Sequence, residues 1–309
     1  MYLIIFPNRD YAVGAVTGVA ASVVALIFGH PVESIKVRLQ SGEVGRTSSE
    51  GMLSGAARLM NRPYAGFGAH LVQYSILNSV RFGSYSAAIG FFRRRAEESG
   101  ESPNRTPSLT EVFLAGSFSG CCMAAAAHPF WVVKTHQQAN RLSPQEAMSR
   151  LWHGEGLRGL FRGYVSSFVR FPVALAVMFT AYEALGRAVS DAKSTTATAS
   201  VEGDSRTALQ SPLRWLGKPL IGAVSGVLCW TSIYPLDVVQ SRMLGEARYG
   251  QDRLYPSALQ AFREVHREGG WKAFTRGYSA VLLRAGPVNA VLLPVNEGLH
   301  PLIQQALPQ

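Results

Sequence analysis

The chain has 309 residues, 30 Lys and Arg against 20 Asp and Glu, a net charge of +10 and three cysteines. Charged residues make up only 16% of it, well below the roughly 25% usual in soluble domains, and 47% is apolar. These values exclude a disordered chain and a disulfide scaffold; the positive excess fits nucleic acid, anionic lipid or an anionic solute without choosing among them.

Taken in chain order, Met1 to Phe6 reads neither as a secretory signal nor as an Arg-rich transit peptide, so any organelle address is expected inside the chain. Tyr11 to Val32 is then 22 residues without Asp, Glu, Lys or Arg. Gly66 to Phe92 carries only Arg81, Val112 to Val133 carries no charge besides His128, and Gly163 to Tyr182 carries only Arg170. Pro219 to Leu236 is uncharged, and Gly277 to Asn296 carries only Arg284. Each span is close to the ~20 residues that cross ~30 Å of hydrocarbon as a helix. Six spans put both termini on one side. The low mean hydropathy of +0.09 comes from Ser, Thr, Gly, Gln and Asn scattered through the spans, as expected of helices with one lipid face and one wet face. A soluble helical array is the competing architecture, but it needs solvated faces that three uncharged runs do not supply.

An internal repeat sets the organisation. Spans one, three and five end on Pro31-Val-Glu33-Ser-Ile-Lys36, Pro129-Phe-Trp131-Val-Val-Lys134 and Pro235-Leu-Asp237-Val-Val-Gln240. Thirteen and nine residues before each proline stand Gly18 and Ser22, Gly116 and Gly120, Gly222 and Gly226. Small residues at this spacing let helix backbones approach inside a membrane. A second element follows each proline motif: Glu155-Gly156 to Phe161-Arg162-Gly163 in the second repeat, and Gly269-Gly270 to Thr275-Arg276-Gly277 in the third. The first repeat keeps only Tyr64-Ala65-Gly66.

With these three copies the chain resembles the mitochondrial carrier family (solute carrier family 25) over about Tyr11 to His300. The resemblance implies an all-α membrane protein with six transmembrane helices in three pseudo-symmetric repeats and short matrix helices. The repeats are expected at residues 1–98, 108–190 and 212–305, with a flexible loop at 191–211. It also implies a multi-pass monomer in the mitochondrial inner membrane, with its termini toward the intermembrane space, that moves a solute by alternating access.

Proline kinks a helix because it lacks an N–H and crowds the preceding turn; Pro31, Pro129 and Pro235 are the expected kinks. Acid and base three apart share a helix face, and intramembrane charges need partners. By the resemblance, each acid pairs with the base of the next repeat and closes the matrix side. This gives Glu33 with Lys134 and Asp237 with Lys36. The remaining pair is lost, because Trp131 and Gln240 occupy its two positions. Losing one partner alone would strand a buried charge at ~3–5 kcal/mol, so a matched loss is expected; unrelated drift at two positions is the alternative. Gln40 and Gln138 match the family's braces beneath such pairs. On the opposite side the family's second motif is nearly gone, and only Glu183 and His300 remain as a candidate cytoplasmic gate.

Counting Gly66, Gly163 and Gly277 as first, the eighth position of each even helix holds Gln73, Arg170 and Arg284. Pseudo-symmetry points these at one level, which by resemblance is the substrate contact. Two guanidinium groups in low dielectric want a carboxylate or phosphate, unless each pairs with an acid or carbonyl elsewhere. Arg81 lacks a counterpart at Met178 or Leu292, and either adds a cavity charge or snorkels to the interface. Asn78-Ser79-Val80-Arg81-Phe82 resembles the carnitine- and ornithine-related branch, but Leu77 replaces the acid of its basic amino-acid members, which argues against a strongly cationic substrate. Trp230, Phe171 and Tyr74 either stack on a quaternary ammonium or flat ring or simply pack.

The sequence shows no metal-ligand spacing, no catalytic constellation and no cofactor motif. The expected partners are a small-molecule metabolite and membrane lipid such as cardiolipin, not nucleic acid. The expected function is exchange of a small anionic or zwitterionic metabolite, of carnitine, acylcarnitine or amino-acid type. A non-transporting protein of the same fold, or a proton or fatty-acid leak, is the alternative.

Overall fold

The computed structural model describes residues 9–40, 67–102, 105–140, 142–199, 207–245, 255, 257–275 and 277–306. Within its helices, the side chains of 28–40, 67–70, 138–139, 191–199, 207–216, 245, 279–280 and 283–284 lie outside the description. The side chains of Pro31, Glu33, Lys36, Gln40, Gln138 and Arg284 are among these, so the roles expected of them fall outside the described residues.

Among the described residues the elements are all helical: α1 (Arg9–Gln40), α2 (Phe67–Glu98), α3 (Leu109–Asn140), α4 (Pro144–Glu155), α5 (Leu157–Leu160), α6 (Tyr164–Ala199), α7 (Thr207–Gly245), α8 (Ala258–Ala273) and α9 (Tyr278–Ala306). The six long ones form a closed ring in which α1 packs on α2, α2 on α3, α3 on α6, α6 on α7, α7 on α9, and α9 back on α1. Helices α1, α3 and α7 run through Pro31, Pro129 and Pro235 without ending there. The segment expected as a loop at 191–211 is helical at both ends, because α6 continues to Ala199 along an Ala- and Thr-rich run and α7 begins at Thr207.

Four stretches are by themselves long and apolar enough to cross a membrane: Arg9–Ile27, Leu109–Gln137, Leu157–Ser190 and Gly217–Leu244. Helices α2 and α9 complete the ring, with Asn78, Ser84 and Asn289 buried. The outer surface is apolar. Phe113, Leu114 and Phe118 on α3, Val165, Phe168, Val169 and Val173 on α6, and Leu220, Val224 and Leu228 on α7 are exposed. Their spacing of three and four puts each set on one helix face. In water such a belt would be an aggregation liability; in hydrocarbon it is the natural surface.

Glycines set the approach within each repeat. A Cβ on Gly18 would stand 2.5 Å from the Asn78 carbonyl oxygen, one on Gly120 2.3 Å from Pro172 Cα, and one on Gly222 2.4 Å from the Asn289 carbonyl oxygen. The three odd–even helix pairs therefore meet backbone to backbone at the small residues picked out by their spacing from the prolines. Between repeats two and three the linker geometry also recurs. Gly156 and Gly163 have φ of 60° and 69°, and Gly270 and Gly277 have φ of 58° and 80°. Glycine is the residue that adopts this left-handed conformation without strain.

Helix α4 starts with a reciprocal cap: Ser143 Oγ accepts from the Glu146 N–H, and the Glu146 carboxylate accepts from the Ser143 N–H at 2.9 Å. That second bond holds the Glu146 carboxyl below its usual range. A depressed carboxyl stabilises the fold fully above its unfolded pKa of about 4.3, and the contribution is lost as pH falls through the lower folded value. The protection factor of the Ser143 amide, its exchange rate measured against the intrinsic rate at each pH, should therefore hold at neutral pH and fall only in acid, whereas Glu146→Gln should largely remove this dependence.

Gly222→Ala should lower the melting temperature of the detergent-solubilised protein, since overpacking costs ~1–3 kcal/mol. Gly186→Ala, with nothing within 4 Å of the new methyl, should leave it unchanged or raise it slightly.

Candidate functional site

Arg170 reaches the ring interior from α6, with 1% of its surface exposed. Its Nη1 donates to Asp237 Oδ1 of α7 at 2.5 Å. The guanidinium carbon lies 4.8 Å from the Trp131 ring centre and 4.5 Å from that of Phe171. Trp131 and Phe171 meet edge to face at 6.3 Å. The cation is thus held by one carboxylate and two π faces, the contacts that offset its desolvation in a low-dielectric interior. Its Nε and Nη2 are closed to solvent and have no acceptor among the described residues, and the indole N–H of Trp131 is also buried without one there.

The structure thus joins two residues expected to act separately: Arg170, at the substrate level, and Asp237, at the proline-end gate. The acid that meets Arg170 comes from the odd helix of the next repeat and not from an even span. The register of α6 against α7 sets this contact, and the periodicity of either helix alone does not reveal it. Trp131 and Gln240, the two positions expected of a lost pair, each take a different partner. Trp131 stacks on Arg170, while Gln240 Nε2 donates to Ser167 Oγ. Ser167 also contacts His128 Nδ1 at 2.8 Å. Accepting from Gln240 leaves the Ser167 hydroxyl hydrogen free for His128, so one serine links α3, α6 and α7. Gln73 is half-buried on α2, and Lys134 is half-buried on α3 one turn beyond Trp131.

At the opposite end a cavity of about 380 Å³ opens between the helices, lined by Asp10, Arg93, Glu183 and His300 among others. Its apolar wall includes Phe82, Tyr85, Phe179 and Leu293. Tyr85 and Phe179 stack at 3.9 Å with planes 14° apart, and Phe82 meets Phe179 edge-on at 5.9 Å. No ion pair joins Glu183 to His300. Glu183 is paired with Arg187 one turn along α6 at 2.9 Å, and His300 faces Ser86 at 3.5 Å. The polar link at this end is instead Glu297, which accepts from the Tyr182 hydroxyl at 2.6 Å and from Lys218 at 2.7 Å, tying α6, α7 and α9. Tyr182 holds the motif's aromatic position in the second repeat and Glu297 its acid position in the third, but pairing them requires knowing which helices adjoin. Among the described residues no group of three or more His, Cys, Asp or Glu could hold a metal.

Three consecutive stretches, residues 8–96, 105–193 and 211–307, each match the family model described as mitochondrial carrier protein. The mitochondrial basic amino acids transporter of Bos taurus is 30% identical over 90% of this chain and 88% of its own length. Solute carrier family 25 member 45 of Homo sapiens is 25% identical over 92% and 95%. The mitochondrial carnitine/acylcarnitine carrier-like protein of Arabidopsis thaliana is 27% identical over 91% and 94%.

Removing the Asp237 charge should strand a buried cation, a loss of ~3–5 kcal/mol. Asp237→Asn should therefore melt well below wild type, and Arg170→Met with Asp237→Leu should recover most of the difference. Additive effects of the singles in the corresponding mutant cycle would mean that the two side chains do not interact.

Proposed function

The chain belongs to the mitochondrial carrier family, and within it we propose a multi-pass carrier of the inner membrane that exchanges a small anionic or zwitterionic metabolite by alternating access. The observation that carries this reading is Arg170, buried at the ring centre with two free N–H groups and bonded to Asp237. A carboxylate approaching those groups competes with Asp237 for the same cation. Binding then loosens the proline end, where Asp237 and Lys36 are the proposed pair beside Glu33 and Lys134. Coupling of this kind requires the solute to favour the intermediate over either end state. Gln73 and Arg284 complete the proposed contact level, with Gln40 and Gln138 as braces.

The relatives named for basic amino acids and for carnitine and acylcarnitine support a substrate with both a carboxylate and a cationic group. Leu77, half-buried against the core, supplies no acid for that cation, which favours a weakly basic or quaternary group over a guanidinium. A monomer bound to cardiolipin, with termini toward the intermembrane space, completes the proposal. The Trp131 and Gln240 positions favour one second reading, a carrier fold that no longer transports.

Uptake into cardiolipin-containing liposomes preloaded in turn with carnitine, amino acids, di- and tricarboxylates and nucleotides tests the proposal. Exchange with the first or second class is expected, with Arg170→Ala reducing it about 30-fold or more, since truncating one member of a buried charge pair costs ~2–5 kcal/mol. Absence of exchange with every class, from protein that melts cooperatively, would establish the second reading.

A further inference from the structure

Trp131 of α3 carries a donor that its stacking on Arg170 does not use. The indole N–H is closed to solvent and has no acceptor among the described residues. Gln240, at the other position of the expected pair, does not take it. That side chain is fully buried, and its carbonyl oxygen also stands without a partner there. Asp237 Oδ1 is taken by Arg170. A buried N–H left unpaired weakens the fold, whereas phenylalanine would give Arg170 a π face at no such cost. The indole thus places a donor where only an added group can use it.

Three donors in this one cluster lack acceptors among the described residues: Nε and Nη2 of Arg170 and Nε1 of Trp131. The guanidinium carbon is 4.8 Å from the centre of the Trp131 ring. Hydrogen bonds of about 2.9 Å on either side of a carboxylate span more than that separation, so one carboxylate can take the guanidinium edge and the indole N–H together. An ionised carboxylate accepts at both oxygens and donates nothing; an ammonium brings only hydrogens and would be left unpaired. Phe171, 4.5 Å from the guanidinium carbon and edge to face with Trp131, walls the cluster with hydrocarbon, where such bonds are stronger than in water. We propose that Trp131 is a second ligand of the solute's carboxylate: Arg170 supplies the charge, and the indole N–H supplies a neutral donor that fixes how the carboxylate sits. This rests on the carrier reading and deepens it, adding a contact from an odd helix to a site expected on the even ones.

The test combines melting of the full-length detergent-solubilised protein with liposome exchange, for wild type, Trp131→Phe and Trp131→benzothienylalanine. The last keeps the size and π face of the indole and replaces its N–H by sulfur. The probes are carnitine and lysine, with choline and cadaverine as comparable cations that lack a carboxylate. Wild type should be stabilised by carnitine or lysine and by neither choline nor cadaverine. Both variants should melt close to wild type without ligand and lose most of the stabilisation by that carboxylate probe. They should also raise its KM about tenfold, what one hydrogen bond to a charged group supplies. An unchanged KM and ligand-induced shift in the benzothienyl variant, with Arg170→Ala still lowering exchange, would make Trp131 a packing residue and overturn the proposal while leaving the carrier reading intact. A raised KM in Trp131→Phe alone would assign the effect to ring size and overturn it as well. Equal stabilisation of wild type by choline or cadaverine would show that the carboxylate is not the group recognised. Wild type that melts cooperatively but exchanges none of the four would overturn the carboxylate-and-cation solute on which this proposal rests.

Discussion

The cost of holding a guanidinium away from water governs the middle of this bundle. Arg170 meets that cost with one carboxylate and two aromatic faces, drawn from α3, α6 and α7. Three helices from two repeats must keep their register for the cation to stay compensated. A helix that slid by one turn, about 5.4 Å, would separate charge from counter-charge. The same site therefore responds to anything that offers Arg170 another anion, which links chemical recognition to helix position without a separate signalling element.

The ring that carries the site is built so that it can tolerate such movement. Within each repeat the odd and even helices touch through Gly18, Gly120 and Gly222, backbone against backbone. In lipid there is no hydrophobic drive between helices, and close van der Waals approach is what remains. Each repeat is thus a tight pair. At the end away from the prolines, by contrast, the closure includes the Tyr85–Phe179 stack and the Tyr182–Glu297–Lys218 link. Stacked rings and a hydroxyl–carboxylate bond can separate without stranding an unsolvated charge, because the Lys218 and Glu297 side chains are already about half exposed.

Fold and site were legible in the sequence to different depths. The Pro, Gly and charge spacing gives the three repeats, the six long helices and the small-residue contacts, because each is local or recurs at a fixed period. Gly156 and Gly163 recur in the sequence as Gly270 and Gly277, while their positive φ required the structure. The partners of Arg170 and Glu297 were not. Asp237 is 67 residues from Arg170 and Tyr182 is 115 from Glu297, and their meeting depends on helix rotation around the ring.

Trp131 gains a reason from the same geometry. An acid at its position would lie beside Arg170, with Asp237 already bound on the other side. Two carboxylates would then share one guanidinium, and no free N–H edge would remain for a solute. Tryptophan keeps contact with the cation through its π face and adds no charge. Gln240, no longer facing an acid, is neutral and is satisfied by Ser167. With no acid at 131 and no base at 240, Arg170 is left half-satisfied. A half-satisfied cation in the ring interior makes a site whose stability is completed by an anion from outside.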